Sequence, residues 1–224
     1  MKMETTGKEL VDLRKATYDH GFAAEKGGDP MSGFYNLWAG KYDQILANVY
    51  QGPRNLAALA SEFITDKSSR ILDAASGTGM VGQELKNLGY ICIDALDPSQ
   101  DSLDKSKELQ SCNEYICDTL DEHQTKIPDN QYDAVVMCGA FGVPGHVTDA
   151  CFPELIRITK PGGYIMFTFS ESVINRWNSQ TEAAIGALSR QGRWELVEYR
   201  WVQYLVSEAL KEKAKVPVLR ILPK

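Results

Sequence analysis

Apolar positions first recur with a helical period between Phe34 and Tyr50. Tyr35, Trp38, Tyr42, Ile45 and Val49 follow one another at offsets of 3, 4, 3 and 4 and share one helix face. Gly52-Pro53 stops that helix, and Leu56 to Phe63 predicts a second amphipathic one. Beyond it, short apolar runs alternate with helical stretches. Ile71-Leu72 leads into a glycine loop, Val81 to Leu88 reads as helix, Tyr90 to Leu96 as strand, and Gln100 to Leu109 as a helix capped by Ser99. Glu114 to Cys117 and Tyr132 to Cys138 are further strands; a helix over Ala150 to Thr159 then precedes the turn Pro161-Gly162-Gly163 and the strand Tyr164 to Phe169. This alternation implies βαβ units, hence a parallel sheet with helices on both faces. The tail differs: Trp194 to Val206 and Val216 to Leu222 predict an antiparallel pair at a sheet edge, with a short charged helical piece between them.

Residues 1–33 are polar and end in the turn cluster Gly27-Gly28-Asp29-Pro30, which predicts a loosely attached leader. The expected division is that leader followed by one domain over 34–224. Cap helices occupy 34–66, a ligand-binding core 67–170, and C-terminal strands with acceptor-side elements 171–224.

Composition narrows the class. Of 224 residues, 43% are hydrophobic and 24% charged, the balance of a single globular domain. No apolar run approaches the roughly 18 residues of a membrane span, and Met1 to Val11 is too polar for a secretory signal. Twenty-four Lys+Arg against 30 Asp+Glu leave a net charge of −6, which disfavours a nucleic-acid partner. Cys92, Cys112, Cys117, Cys138 and Cys151 are odd in number and contain no C-x-x-C pair, while His20, His123 and His146 are scattered. The expectation is therefore reduced thiols in a cytoplasmic protein with no metal site; between monomer and homodimer the sequence does not choose.

The informative segment is Ile71-Leu72-Asp73-Ala74-Ala75-Ser76-Gly77-Thr78-Gly79-Met80-Val81-Gly82, a G-x-G-x-x-G at Gly77, Gly79 and Gly82, with Asp97 eighteen residues past Gly79. Alone, this spacing also fits a dinucleotide site, so a nicotinamide-dependent oxidoreductase stays open. Three acids shift the balance. Asp73 ends the first strand beside the tight turn, where it repels a pyrophosphate and attracts an ammonium group. Asp97 ends the second strand, where it can accept ribose hydroxyls. Asp118 ends the third, with Thr119 beside it, where it can accept an exocyclic amine of a purine. An amine, a ribose and an adenine without phosphate describe S-adenosylmethionine.

ILDAASGTG resembles the first motif of class I S-adenosylmethionine-dependent methyltransferases, with Ala75 and Ser76 where Gly and Cys are commoner. ALDPSQDSL, carrying Asp97 and Pro98, is similar to the second, and PGGYIMFT resembles the turn into the fifth strand. FYNLWAGKYDQILANVYQGPRNLA looks like the opening of the Williams–Beuren syndrome critical-region methyltransferase-like proteins, with Asn36 in place of a common Asp. The resemblance spans about residues 30 to 200 and implies a Rossmann-like, mostly parallel seven-stranded sheet with helices on both faces, an antiparallel last strand and an N-terminal helical cap. It also implies transfer of a methyl group from S-adenosylmethionine, leaving S-adenosylhomocysteine; the acidic charge balance argues for a small-molecule acceptor over RNA or DNA, with a protein side chain left open. A protein that binds this cofactor without transferring its methyl is the remaining alternative.

Each role has a plainer competitor. Gly77 and Gly79 let the backbone approach a ligand, or simply turn the chain from strand to helix. Asp97 holds a ribose, or complements a helix dipole; Asp118 reads an adenine, or starts a loop. Cys138, with Gly139 and Ala140, ends the fourth strand and lines the pocket through its backbone, the thiol packing as a small hydrophobe. Trp38 and Tyr42, with Tyr35, form a lid over the ligand, or belong to the core. His146 follows the loop Phe141 to Gly145 and is the candidate general base, or a surface histidine. Arg200, Trp201 and Tyr204 shape an acceptor pocket, or pack the sheet.

Overall fold

The computed structural model describes residues 7–31, 33–35, 45–46, 49–208 and 210–223. In chain order its elements are α1 (Gly7–Ala24), α2 (Gly52–Phe63), β1 (Arg70–Ala74), α3 (Met80–Asn87), β2 (Cys92–Asp97), α4 (Gln100–Glu108), β3 (Glu114–Cys117), β4 (Tyr132–Met137), α5 (Phe152–Ile158), β5 (Thr159–Phe167), β6 (Phe169–Ser170), α6 (Glu171–Arg190), β7 (Trp194–Val206) and β8 (Lys211–Ile221). β1, β2 and β4 are buried at almost every position, their apolar residues interrupted chiefly by aspartates. A strand covered on both faces requires this.

The sheet runs β3-β2-β1-β4-β5-β8, with β6 and β7 also paired to β8. β3, β2, β1, β4 and β5 are mutually parallel, and β8 is antiparallel to β5, β6 and β7. Only Thr168 separates β5 from β6, and both pair with β8, so eight assigned segments occupy the expected seven-stranded layout. The period-2 alternation divides the core. Leu72, Val135, Ile165 and Phe167 face α5 and α6, whereas Ile71, Ala134, Val136 and Met166 face α2 and α3. Strand order reverses between β1 and β4, which opens a crevice beyond their carboxyl ends.

Four details differ from the sequence reading. The segment read as a polar leader contains α1, whose Leu10 and Leu13 are buried against Leu46, Val49, Tyr204 and Leu205. Two leucines and Thr17 suffice to define an apolar stripe on an otherwise polar helix. The charged piece before the last strand is itself strand: Glu212 and Ala214 are buried while Lys211 and Lys213 are exposed, a period of two rather than 3.6. β5 starts at Thr159, so Pro161 to Gly163 lies within the strand, at the register shift between Tyr132 and Ala134. The helix read over Ala150 to Thr159 is a 3₁₀ turn at Asp149–Cys151 followed by α5. α6 carries no distinctive sequence signal. It is held by the Trp194 indole, which donates to the Ile185 carbonyl at 3.0 Å, and by Tyr199 and Lys215 on Glu182.

Candidate functional site

The glycine loop is folded onto the second strand by Asp97. Its Oδ2 accepts from Gly77 N at 2.8 Å and its Oδ1 from Ser99 N at 2.9 Å, while Ser76 N donates to the Leu96 carbonyl at 3.0 Å. Ser99 caps α4 by accepting from Ser102 N. Gly77 has φ +53° and a Cβ there would meet open space; Gly79 has φ +88° and a Cβ there would lie 2.2 Å from Ser106 Oγ. The first glycine serves the turn and the open face, the second the packing beneath it. Gly82 N donates to Asp73 Oδ2 at 2.9 Å, drawing the start of α3 onto the end of β1.

A cavity of about 300 Å³ opens beyond β1, β2 and β4. Of the residues singled out from the sequence, Asp73, Ala75, Gly77, Asp97, Pro98, Thr119, Cys138 and His146 line it. Gly79 lies under the loop. Asp118 is set away from the wall: its Oδ1 accepts from Thr119 N and lies 3.1 Å from His123 Nε2. The acid that lines the cavity at that edge is Asp121, whose Oδ1 also faces His123 Nδ1 at 2.5 Å. Trp38 and Tyr42 fall outside the described residues. Tyr204 packs beside the site, whereas Trp201 is exposed and Arg200 pairs with Glu198 and Glu62 on the surface.

The cavity is acidic. Three carboxylates line it, and among its described lining residues there is neither Lys nor Arg. Asp73 is fully buried and its Oδ1 has no hydrogen-bond partner. Burial raises its carboxyl from 3.8 to about 7, with Gly82 N–H opposing and Asp97 adding to the rise. Burial also raises Asp97, against the lowering from Ser99 and Gly77. A carboxylate left unpaired in a dry wall costs free energy unless a cation or donor reaches it.

At the far end, one group that the sequence left in the background joins Cys138, His146 and Tyr35. Tyr50, read only as the end of a helix, lies 3.2 Å from Cys138 Sγ, and a Cβ on Gly139 would come within 2.4 Å of its Oη. Burial pushes the Cys138 thiol up to about 12, so it is not a nucleophile at neutral pH. His146 Nδ1 lies 2.8 Å from the Pro144 carbonyl and Nε2 2.8 Å from the Tyr35 hydroxyl. A carbonyl only accepts, so the neutral ring carries its hydrogen on Nδ1 and Nε2 accepts from Tyr35. Burial pushes the imidazole below its usual range, keeping that acceptor available.

The residues fit S-adenosylmethionine. Asp73 offers an unsatisfied buried acceptor for an ammonium, Asp97 keeps lone pairs for hydroxyls, and no described cation lines the cavity to neutralise a phosphate.

Residues 71–163 match the family described as methyltransferase domain. The chain is 32% identical over 170 residues to methyltransferase-like protein 27 of Homo sapiens, covering 72% of this chain and 67% of that protein. It is 32% identical over 116 residues to malonyl-[acyl-carrier protein] O-methyltransferase of Buchnera aphidicola, covering 49% of this chain and less than half, 43%, of that relative. In fold it is similar to a structure titled as a SAM-dependent methyltransferase of Methanosarcina mazei, with a TM-score of 0.56 at 13% identity, covering 74% of this chain and 98% of that one. With the carboxylates, the loop and the strand order agreeing, the chain belongs to the class I S-adenosylmethionine-dependent methyltransferases, among the relatives of methyltransferase-like protein 27.

Proposed function

We propose that this chain transfers a methyl group from S-adenosylmethionine to a small-molecule acceptor by in-line displacement. The observation that carries the reading is Asp73 Oδ1, buried and without a hydrogen bond in the wall of an acidic cavity. When bound, S-adenosylmethionine supplies a methyl group already activated on a sulfonium.

The chain's own task is to hold and orient. Asp73 receives the ammonium, Asp97 the ribose hydroxyls, and the backbone at Gly77 lies against the ligand with no side chain in between. Pro98 and Thr119 flank the adenine, whose amine is read by Asp121 rather than Asp118. Cys138 and Gly139, just past the end of β4, exclude water from the reacting end together with Tyr35 and Tyr50. Near-attack positioning of this kind can supply roughly 7–11 kcal/mol of the barrier. His146, through Tyr35, takes a proton from an acceptor that must lose one. The acidic cavity and the net charge of −6 favour a small molecule over a nucleic acid. Five free thiols suit a reducing compartment, and we place the protein in the cytoplasm.

Asp97→Ala is expected to weaken S-adenosylhomocysteine binding by about 1.5–3 kcal/mol, the scale of hydrogen bonds to a charged group. Titration calorimetry reads this directly, and unchanged affinity refutes the ribose assignment. Incubation of the wild type with methyl-labelled cofactor and metabolite extract separates a transferase from a mere binder, which labels nothing.

A further inference from the structure

A second cavity, of about 80 Å³, lies between α1 and the β6–β8 end of the sheet. It shares Tyr35, Tyr50 and Gly139 with the larger one, so these three residues form the partition between them. Nothing in the methyltransferase reading so far gives it a role. One side is apolar, formed by Leu10, Leu13, Leu46 and Leu205; the other carries Arg14, Tyr18, Ser170, Ser172 and Glu212.

Glu212 is the unusual member. It occupies an inward position of β8 and is only 4% exposed. Its Oε1 accepts from Ser172 N at 2.8 Å and from Arg14 Nη2 at 3.3 Å. Its Oε2 lies 3.3 Å from Arg14 Nη1 but receives no hydrogen bond. The hydroxyls around it bond to one another rather than to Glu212 Oε2: Tyr18 Oη lies 2.9 Å from Ser172 Oγ, which lies 2.7 Å from Ser170 Oγ. A buried acid with one long ion pair costs stability wherever an apolar residue would fit, and its neighbour on the same face is Ala214. What Glu212 Oε2 lacks is an aligned donor, since Arg14 reaches it only as an ion-pair contact. An anionic head group would meet Glu212 unfavourably, whereas an N–H or O–H completes its hydrogen bonding.

We propose that this side cavity holds the methyl acceptor, a small molecule with an apolar body and a hydrogen-bond-donating head group, an amine or an alcohol, which Glu212 receives. The proposal rests on the methyltransferase reading. The head group sits against Glu212 and the serines, and the body lies along the leucines. The opposite end carries the lone pair that takes the methyl group as the carbon–sulfur bond breaks and S-adenosylhomocysteine leaves; it reaches the partition, where Tyr35 and His146 stand 2.8 Å apart.

The test uses the full chain saturated with S-adenosylhomocysteine and titrated by NMR with propylamine, 1-propanol and propionate, probes small enough for a cavity of about 80 Å³. Propylamine and 1-propanol should bind saturably and at least tenfold tighter than propionate. Glu212→Gln should raise the Kd of propylamine at least fivefold and leave that of S-adenosylhomocysteine within twofold. Should that variant not fold, Val143→Phe, which fills the same cavity, should abolish binding of both donor probes with S-adenosylhomocysteine still bound. Propionate binding as tightly as the amine, absence of saturable binding by either donor probe, or indifference to these substitutions overturns the proposal alone. Failure of the wild type to bind S-adenosylhomocysteine overturns the function proposed above, and this proposal with it.

Discussion

Asp73→Asn is expected to weaken S-adenosylhomocysteine binding at pH 8 at least 10²-fold, since stranding one partner of a buried charge pair costs about 3–5 kcal/mol. The same substitution should remove a pH dependence. In the ligand-free chain the Asp73 carboxyl sits at about 7 because burial disfavours its charge. An ammonium ligand needs the charged form. Wild-type affinity should therefore rise with pH through about 7, and fall about tenfold per unit below it, while Asp73→Asn stays flat. Stability of the ligand-free chain runs the other way. A folded carboxyl raised above its ordinary 3.8 binds the proton more tightly than the unfolded one, so its contribution is present at low pH and is lost as pH rises from about 4 through 7. At pH 8 the Asn variant should melt above the wild type, because Asn keeps an acceptor for Gly82 N and removes a buried charge. A variant that binds as tightly as the wild type, or melts below it at pH 8, contradicts this account of Asp73.

His146→Gln is expected to lower turnover about 10²–10⁴-fold, the range for loss of a general base, with S-adenosylhomocysteine affinity kept within twofold. Nδ1 is committed to the Pro144 carbonyl and Nε2 to the Tyr35 hydroxyl, so the acceptor's proton reaches the ring through Tyr35 Oη. Burial holds the imidazole below its usual value. At saturating cofactor, wild-type turnover should rise through a midpoint below 6.5 and be level at neutral pH, a limb the variant lacks. Methyl incorporation from labelled cofactor into metabolite extract measures both. A variant with wild-type turnover and the same pH limb contradicts the assignment.

The cofactor half of the site is legible in the sequence because it is built from chain-local features. Asp73, Gly77 and Asp97 fall at strand ends that an apolar run predicts, and a strand order of this class brings those ends together. The adenine edge is less so. Asp118 and Asp121 are three residues apart in one loop and both face His123, yet Asp121 lines the cavity and Asp118 does not, a difference that residue type and spacing do not carry. The side cavity was illegible for a different reason. Arg14 and Glu212 are 198 residues apart, and each sits in a segment whose composition disguises its element. Arg14 lies on a helix that reads as polar leader, and Glu212 in KEKAK, which reads as charged helix until its period of two is seen. Tyr50 carries no sequence signal beyond its ring; its role comes from the bare backbone at Gly139.

Calorimetric titration of the wild-type chain at pH 8 with S-adenosylhomocysteine, and separately with NAD, goes straight to the electrostatic identity of the main cavity. Saturable binding of one S-adenosylhomocysteine per chain, with no heat from NAD, is the predicted result. Tight binding of the dinucleotide with none of the thioether would mean that a diphosphate is welcome beside Asp73, and would contradict the account at its root.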